Sequence, residues 1–162
     1  MRLSHALFIA LAIPAQAFSE RVWPDTGAMG QGQIYENDKK YFERLVFKKQ
    51  TELVEKITTD SIREINGSKY PDQRLVDAVA DLHTSWLAYY PKECELIGAL
   101  SGAGGSWPST YATRCEANLV YRRFNRLKAA MNCIDRIPER QRPYSLSQCL
   151  YQLSPLTYGK ES

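Results

Sequence analysis

Residues 94–115 read CELIGALSGAGGSWPSTYATRC, and this stretch decides the fold. Its middle, residues 101–109, holds three glycines, a proline and three serines, which is the composition of a loop. A cysteine stands on either side of that loop, and beyond each cysteine apolar residues recur at three- and four-residue intervals. Such a period marks amphipathic helices. Two helices joined by a short loop fold back against each other, so the chain turns a corner here.

Upstream, Pro71-Asp72 suits the first turn of a helix whose stripe is Leu75, Val79, Leu82 and Trp86, with Val76 and Leu87 beside it. Pro91 has no N–H and disfavours a helical predecessor, so the helix is expected to kink or end near Tyr90. Residues 93–100 then resume for another turn or two. Downstream, a helix runs from Ser109 or Thr110 to Ile137, stopping before Pro138. Its inward face is Ala112, Cys115, Leu119, Val120, Phe124, Leu127, Met131 and Ile134. A further helix starts at Asn37 or Asp38, either of which can cap it, and carries Phe42, Leu45, Val46, Leu53, Val54, Ile57 and Ile65, with a weak point at Thr58-Thr59-Asp60 where it is expected to bend or stop. The charges between them, Lys48, Lys49, Glu52, Glu55 and Lys56, form a solvated face. Asn66-Gly67 suits a left-handed helix end. No alternating run is long enough to commit to a strand. The expected fold is all-α: a small antiparallel helical bundle over residues 37–137, with a lead-in at 18–36 and a tail at 138–162.

Residues 1–17 have the order of a secretory signal: Arg2, the apolar run Ala6–Ile13, then Ala15-Gln16-Ala17 as a cleavage site. The run is too short to cross a bilayer, which takes about 20 residues, and no later segment is long and apolar enough. Cleavage after Ala17 leaves 145 residues, a one-domain length. The expected localisation is periplasmic or secreted, an oxidising setting in which an even number of cysteines reads as disulfides. Cys94, Cys115, Cys133 and Cys149 allow three pairings. The helical hairpin favours Cys94 with Cys115, one at each side of its loop. That leaves Cys133 with Cys149, fastening the tail.

The whole chain carries a net charge of +3, and the signal takes Arg2 and no acid with it, leaving +2. So small a charge gives no reason to expect nucleic acid or an anionic membrane as partner. Catalytic chemistry is thinly supplied. His83 is the one histidine outside the signal, one residue after Leu82, which is a packing position. Glu52 and Glu55 have ordinary surface-helix spacing. Gly102–Gly105 lack the lysine of a phosphate loop, and no zinc-ligand spacing occurs. The expectation is a protein that is not an enzyme and needs no cofactor or metal.

From Trp86 to Leu127 the sequence resembles the LprI-like lysozyme inhibitor family, small exported proteins with an N-terminal helical domain. The residues that carry the likeness are Trp86-x-x-Tyr89, Cys94, Gly104-Gly105-Ser106, Cys115, Arg123 and Leu127, in that order. The family's Arg-Asp pair falls on Tyr90-Pro91 and its threonine on Val120, so a charge pair and a hydroxyl are missing. The resemblance implies a binding protein of the cell envelope that inhibits lysozyme by occluding its cleft. It makes Trp86, Tyr89, Arg123 and Leu127 structural positions.

The same end of the hairpin holds the candidate partner-binding residues: Gly104, Gly105, Ser106, Trp107, Tyr90 and Tyr111. Trp107 either folds back over the disulfide or projects as an anchor, since Trp and Tyr dominate interface energetics. The alternative function is a structural or assembly component that binds another envelope or secretion-system protein through its helix faces.

Overall fold

A computed structural model describes residues 27–65 and 68–154. Its elements are α1 (Ala28–Asp60), β1 (Arg63–Ile65), β2 (Ser68–Tyr70), α2 (Gln73–Leu100), α3 (Trp107–Arg136) and α4 (Arg142–Leu150). One 3-10 turn precedes α4 at Glu139–Gln141, and another follows it at Tyr151–Leu153. The signal segment lies outside the described residues.

The fold is a small all-α bundle with two disulfides. Helix α3 is its axis. Down its length, Thr110 donates to the Ala28 carbonyl, Glu116 pairs with Lys39, and Asp135 pairs with Lys56. Later residues of α1 meet later residues of α3, so these two run the same way. Helix α2 runs against both: Cys94 is bonded to Cys115, Trp86 lies under Arg123, and Val79 accepts from Gln50 Nε2. The shared core contains Leu53, Ile57, Val120, Leu127 and Ile134, all fully buried. Each such side chain contributes about 1.5–3 kcal/mol of burial.

The architecture departs from the sequence expectation at several elements. First, α1 begins at Ala28, so residues 28–36 are helix rather than lead-in. Gly30 and Gly32 weaken the local signal, but Gly32 lets the Thr110 hydroxyl approach to 3.4 Å of where a Cβ would stand. Packing on α3 therefore outweighs propensity here. Second, α2 is continuous through Pro91. The ring deprives the Leu87 carbonyl of its helical donor, but Leu87 is on an exposed face where water can serve. Burial of Tyr90 and the bond at Cys94 hold the helix on either side.

Third, α1 stops at Asp60 and a two-stranded hairpin follows, pairing Arg63 with Tyr70 and Ile65 with Ser68. The Asn66-Gly67 dipeptide, read as a helix end, lies outside the described residues; by sequence it is also a hairpin signal. Asp72 caps α2 by accepting from the Leu75 amide, while its own amide donates to Ser61 Oγ. Fourth, the tail is tied by Cys133–Cys149 as expected, but residues 139–153 are also largely helical. Leu146, Cys149, Leu150 and Leu153 belong to the core. Pro143 sits in the first turn of α4, where a missing N–H costs nothing.

Candidate functional site

Helices α2 and α3 meet at the top of the bundle. Gly98 makes the contact close, because a Cβ there would collide with the Pro108 carbonyl oxygen and press the Ala112 methyl. The connection is residues 101–106, shorter than the loop expected. Gly102 and Gly105 take φ of 63° and 64°, the left-handed region that glycine favours. Ser101 Oγ donates to the Gly98 carbonyl and accepts from the Ala103 amide, tying the turn to the helix end. Cys94–Cys115 then locks the corner one turn below, with Cα atoms 5.4 Å apart.

The expected site residues divide. Gly104, Gly105 and Ser106 are exposed on the connection. Trp107 is the first residue of α3 rather than a loop residue; half-buried, it stacks on Tyr111 with ring centres 5.8 Å apart. Tyr111 is on the surface. Tyr90 is a correction: it is 5 % exposed and cannot meet a partner. Its ring stacks on Trp86 at 4.5 Å and its hydroxyl donates to Glu43 at 2.7 Å. Burial, then the Glu43 carboxylate, raises the Tyr90 pKa well above its usual value.

Of the family-motif positions, Leu127 is fully buried and Tyr89 is exposed. Arg123 is only 3 % exposed; one guanidinium N–H donates to the Leu153 carbonyl at 3.1 Å, and the group lies over Trp86. Its Nε and Nη2 are buried without a hydrogen-bond partner among the described residues. Burial, assisted by the charge of Arg126, brings its pKa down to about 10. His83 also stacks on Trp86, with ring centres 6.0 Å apart. Burial and the Arg123 charge hold it below the usual histidine value. Among the described residues no group of three metal-ligand side chains comes together.

Beside the corner lies a shallow groove of 600 Å³, lined by Ile97, Leu100, Ser101, Tyr111, Arg114, Cys115 and Asn118. Four of these escaped the sequence reading: Ile97, Leu100, Arg114 and Asn118. Breaking the helical pattern at Pro91 hid the fact that 96, 97 and 100 share an outer face with Tyr89. Leu96, Ile97 and Leu100 are 58 %, 44 % and 75 % exposed, an apolar run on the outer face of α2. Arg114 has no carboxylate partner among the described residues; its guanidinium rests 6.0 Å from the Tyr35 ring. An exposed apolar floor with a cation at its rim has the composition of an interaction surface.

Compared with family models, with curated proteins and with solved structures, the chain matches none.

Proposed function

We propose that the chain is an exported binding protein of the cell envelope, whose docking surface is the groove at the Cys94–Cys115 corner. The observation that carries this is the exposed run Leu96, Ile97 and Leu100, set against Tyr111 and Arg114 on a corner braced by a disulfide. A rigid apolar platform loses little entropy when a partner lands on it. Export rests on the signal-like first 17 residues; the two disulfides and the lack of any described helix able to cross a membrane are compatible with it.

Lysozyme is the first partner to test, from the sequence resemblance to the LprI-like inhibitors. Inhibition of that kind requires only that the sugar cleft, with its two carboxyl groups, be covered. Arg114 is the residue that could meet such a carboxylate. In a turbidity assay, mature protein spanning residues 18–162 slows lysozyme-driven lysis, and Leu100→Asp together with Tyr111→Ala abolishes the effect. Undiminished lysis at saturating protein removes lysozyme as the partner.

The second reading, an assembly component bound through a helix face, is favoured by Phe47, a large apolar side chain that stands 72 % exposed on α1. Pull-down from periplasmic extract separates the two. A stable partner lost on Phe47→Ser and kept on Leu100→Asp selects α1 as the docking face.

A further inference from the structure

The outer face of α2 carries a regularity of its own. Leu82, Ser85, Tyr89, Leu96 and Leu100 follow one another at intervals of three, four, seven and four residues. Such intervals keep side chains on one side of a helix. Leu82, Tyr89 and Leu96 are seven apart, the spacing of a seam between paired helices. This side is turned away from the bundle: Ser85, Tyr89, Leu96 and Leu100 are exposed, and Leu82 is partly covered. The helix buries its opposite side through Tyr90, Cys94 and Gly98.

Lys92 and Glu93 stand at the gap in the seam. Neighbours in sequence are about 100° apart around a helix, so these two lie on opposite flanks of the line from Tyr89 to Leu96. Lys92 is exposed and Glu93 half-buried, and among the described residues neither enters an ion pair. At one level of the helix, then, one flank of the seam is positive and the other negative.

That pattern distinguishes the ways in which a second copy can approach. A two-fold axis parallel to the helices sets the left flank of one against the right flank of the other. Lys92 then meets Glu93 on both sides of the seam. Antiparallel helices bring like flanks together, and Lys92 would face Lys92, which opposes that pairing. Opposite charges flanking an apolar seam select both the partner and the direction. Ser85, with its small side chain, lets the two backbones come close.

We propose that two copies of the chain pair in parallel through the outer face of α2, with Tyr89 and Leu96 each against its own counterpart and Lys92 of each copy bonded to Glu93 of the other. The seam covers fewer than three heptads, so the dimer is reversible rather than permanent. Because α2 is already held by the bundle, pairing orders no new helix. The contact includes Leu96 and Leu100 of the surface described above and does not need Ile97, Tyr111 or Arg114. It does not rest on any partner assigned to that surface.

Sedimentation velocity on the protein spanning residues 18–162, from low to high micromolar concentration, reads the association. The mass is expected to rise toward two copies. Lys92→Glu and Glu93→Lys should each weaken pairing by about tenfold or more, since each puts like charges on both flanks. Mixed in equal amounts the two variants should pair again, and Lys92→Glu/Glu93→Lys should pair by itself as the parent does. Ser85→Cys reports the direction: on a parallel seam it meets its own counterpart and forms an interchain disulfide on oxidation. All three positions are at the surface, so an unchanged far-UV spectrum is expected and shows that the fold is kept. A monomer at every concentration overturns the proposal. So does a dimer indifferent to the charge changes, or one without the Ser85→Cys cross-link. No lysozyme enters these measurements, so the self-contact and the docking reading can fail separately.

Discussion

The two disulfides close loops of similar span, 16 and 21 residues, yet the ends of the bundle they serve are unlike. At the lower end, Cys133–Cys149 holds α4 against α3, and the segment it fastens delivers Leu146, Leu150 and Leu153 to the core. At the upper end, Cys94–Cys115 joins two helices that already touch through Gly98, and among the described residues Leu96, Ile97 and Leu100 stand exposed outside it. One cross-link retains a piece of core. The other fixes the angle of a corner. Stability is therefore concentrated at one end and the capacity to bind at the other.

The largest effect that can break this comparison comes from the disulfides themselves. The chain-entropy argument assigns each about 3 kcal/mol, with slightly more for the longer loop at Cys94–Cys115. The packing described here reverses that order. Cys133→Ser/Cys149→Ser is expected to cost more than Cys94→Ser/Cys115→Ser, because α4 loses its anchor as well as the chain losing a constraint. Urea denaturation of the two double variants gives the order, and a larger loss at the upper end would contradict the division.

Next in size is Gly98→Ala. The added methyl has only the Pro108 backbone and Ala112 to move, so a loss of about 1–3 kcal/mol is expected, read as a fall in the urea midpoint at unchanged slope. Tyr90→Phe removes a hydrogen bond to a carboxylate and is expected to cost about 1–2 kcal/mol by the same measurement. Arg123→Met should be milder than its burial suggests. The guanidinium is desolvated with two unmatched N–H groups, and apolar replacement of such a group is often neutral or stabilising, so a change within about 1 kcal/mol is expected. A loss as large as that of Gly98→Ala would mean that the bond to Leu153 outweighs the desolvation.

The smallest effect concerns pH. His83 is held below its ordinary value by burial, so the folded state binds the proton less readily than the unfolded chain. Stability from this group is present above about pH 6.5 and is lost as pH falls below it. A urea midpoint followed from pH 7 to pH 5 should decline less in His83→Gln than in the parent protein.

The sequence made the corner legible because three independent signals coincide there: the glycine run, the flanking cysteines and the helical stripes. Both disulfide pairings follow from that corner. What escaped was decided by tertiary contact. Leu146, Leu150 and Leu153 have helical spacing, but Pro138, Pro143 and Pro155 around them look like breakers until Pro143 is placed in a first turn. Pro91 looks like a stop until Cys94 and Tyr90 are seen pinning the helix on both sides. Splitting α2 at that proline separates Ile97 and Leu100 from Tyr89, whose outer face they share on the unbroken helix. Tyr90 was misplaced for the same reason: beside a helix end it would be a surface residue, whereas inside a continuous helix it faces Glu43.

The most direct test is one truncation made at each end. Leu153→Ala and Leu100→Ala remove the same atoms, the first from a side chain that is 1 % exposed and the second from one that is 75 % exposed. Denatured in urea under the same conditions, Leu153→Ala is expected to lose about 2–5 kcal/mol and Leu100→Ala less than about 1 kcal/mol. Comparable losses at the two positions would contradict the account, because the upper end would then be as much a part of the stabilising core as the lower.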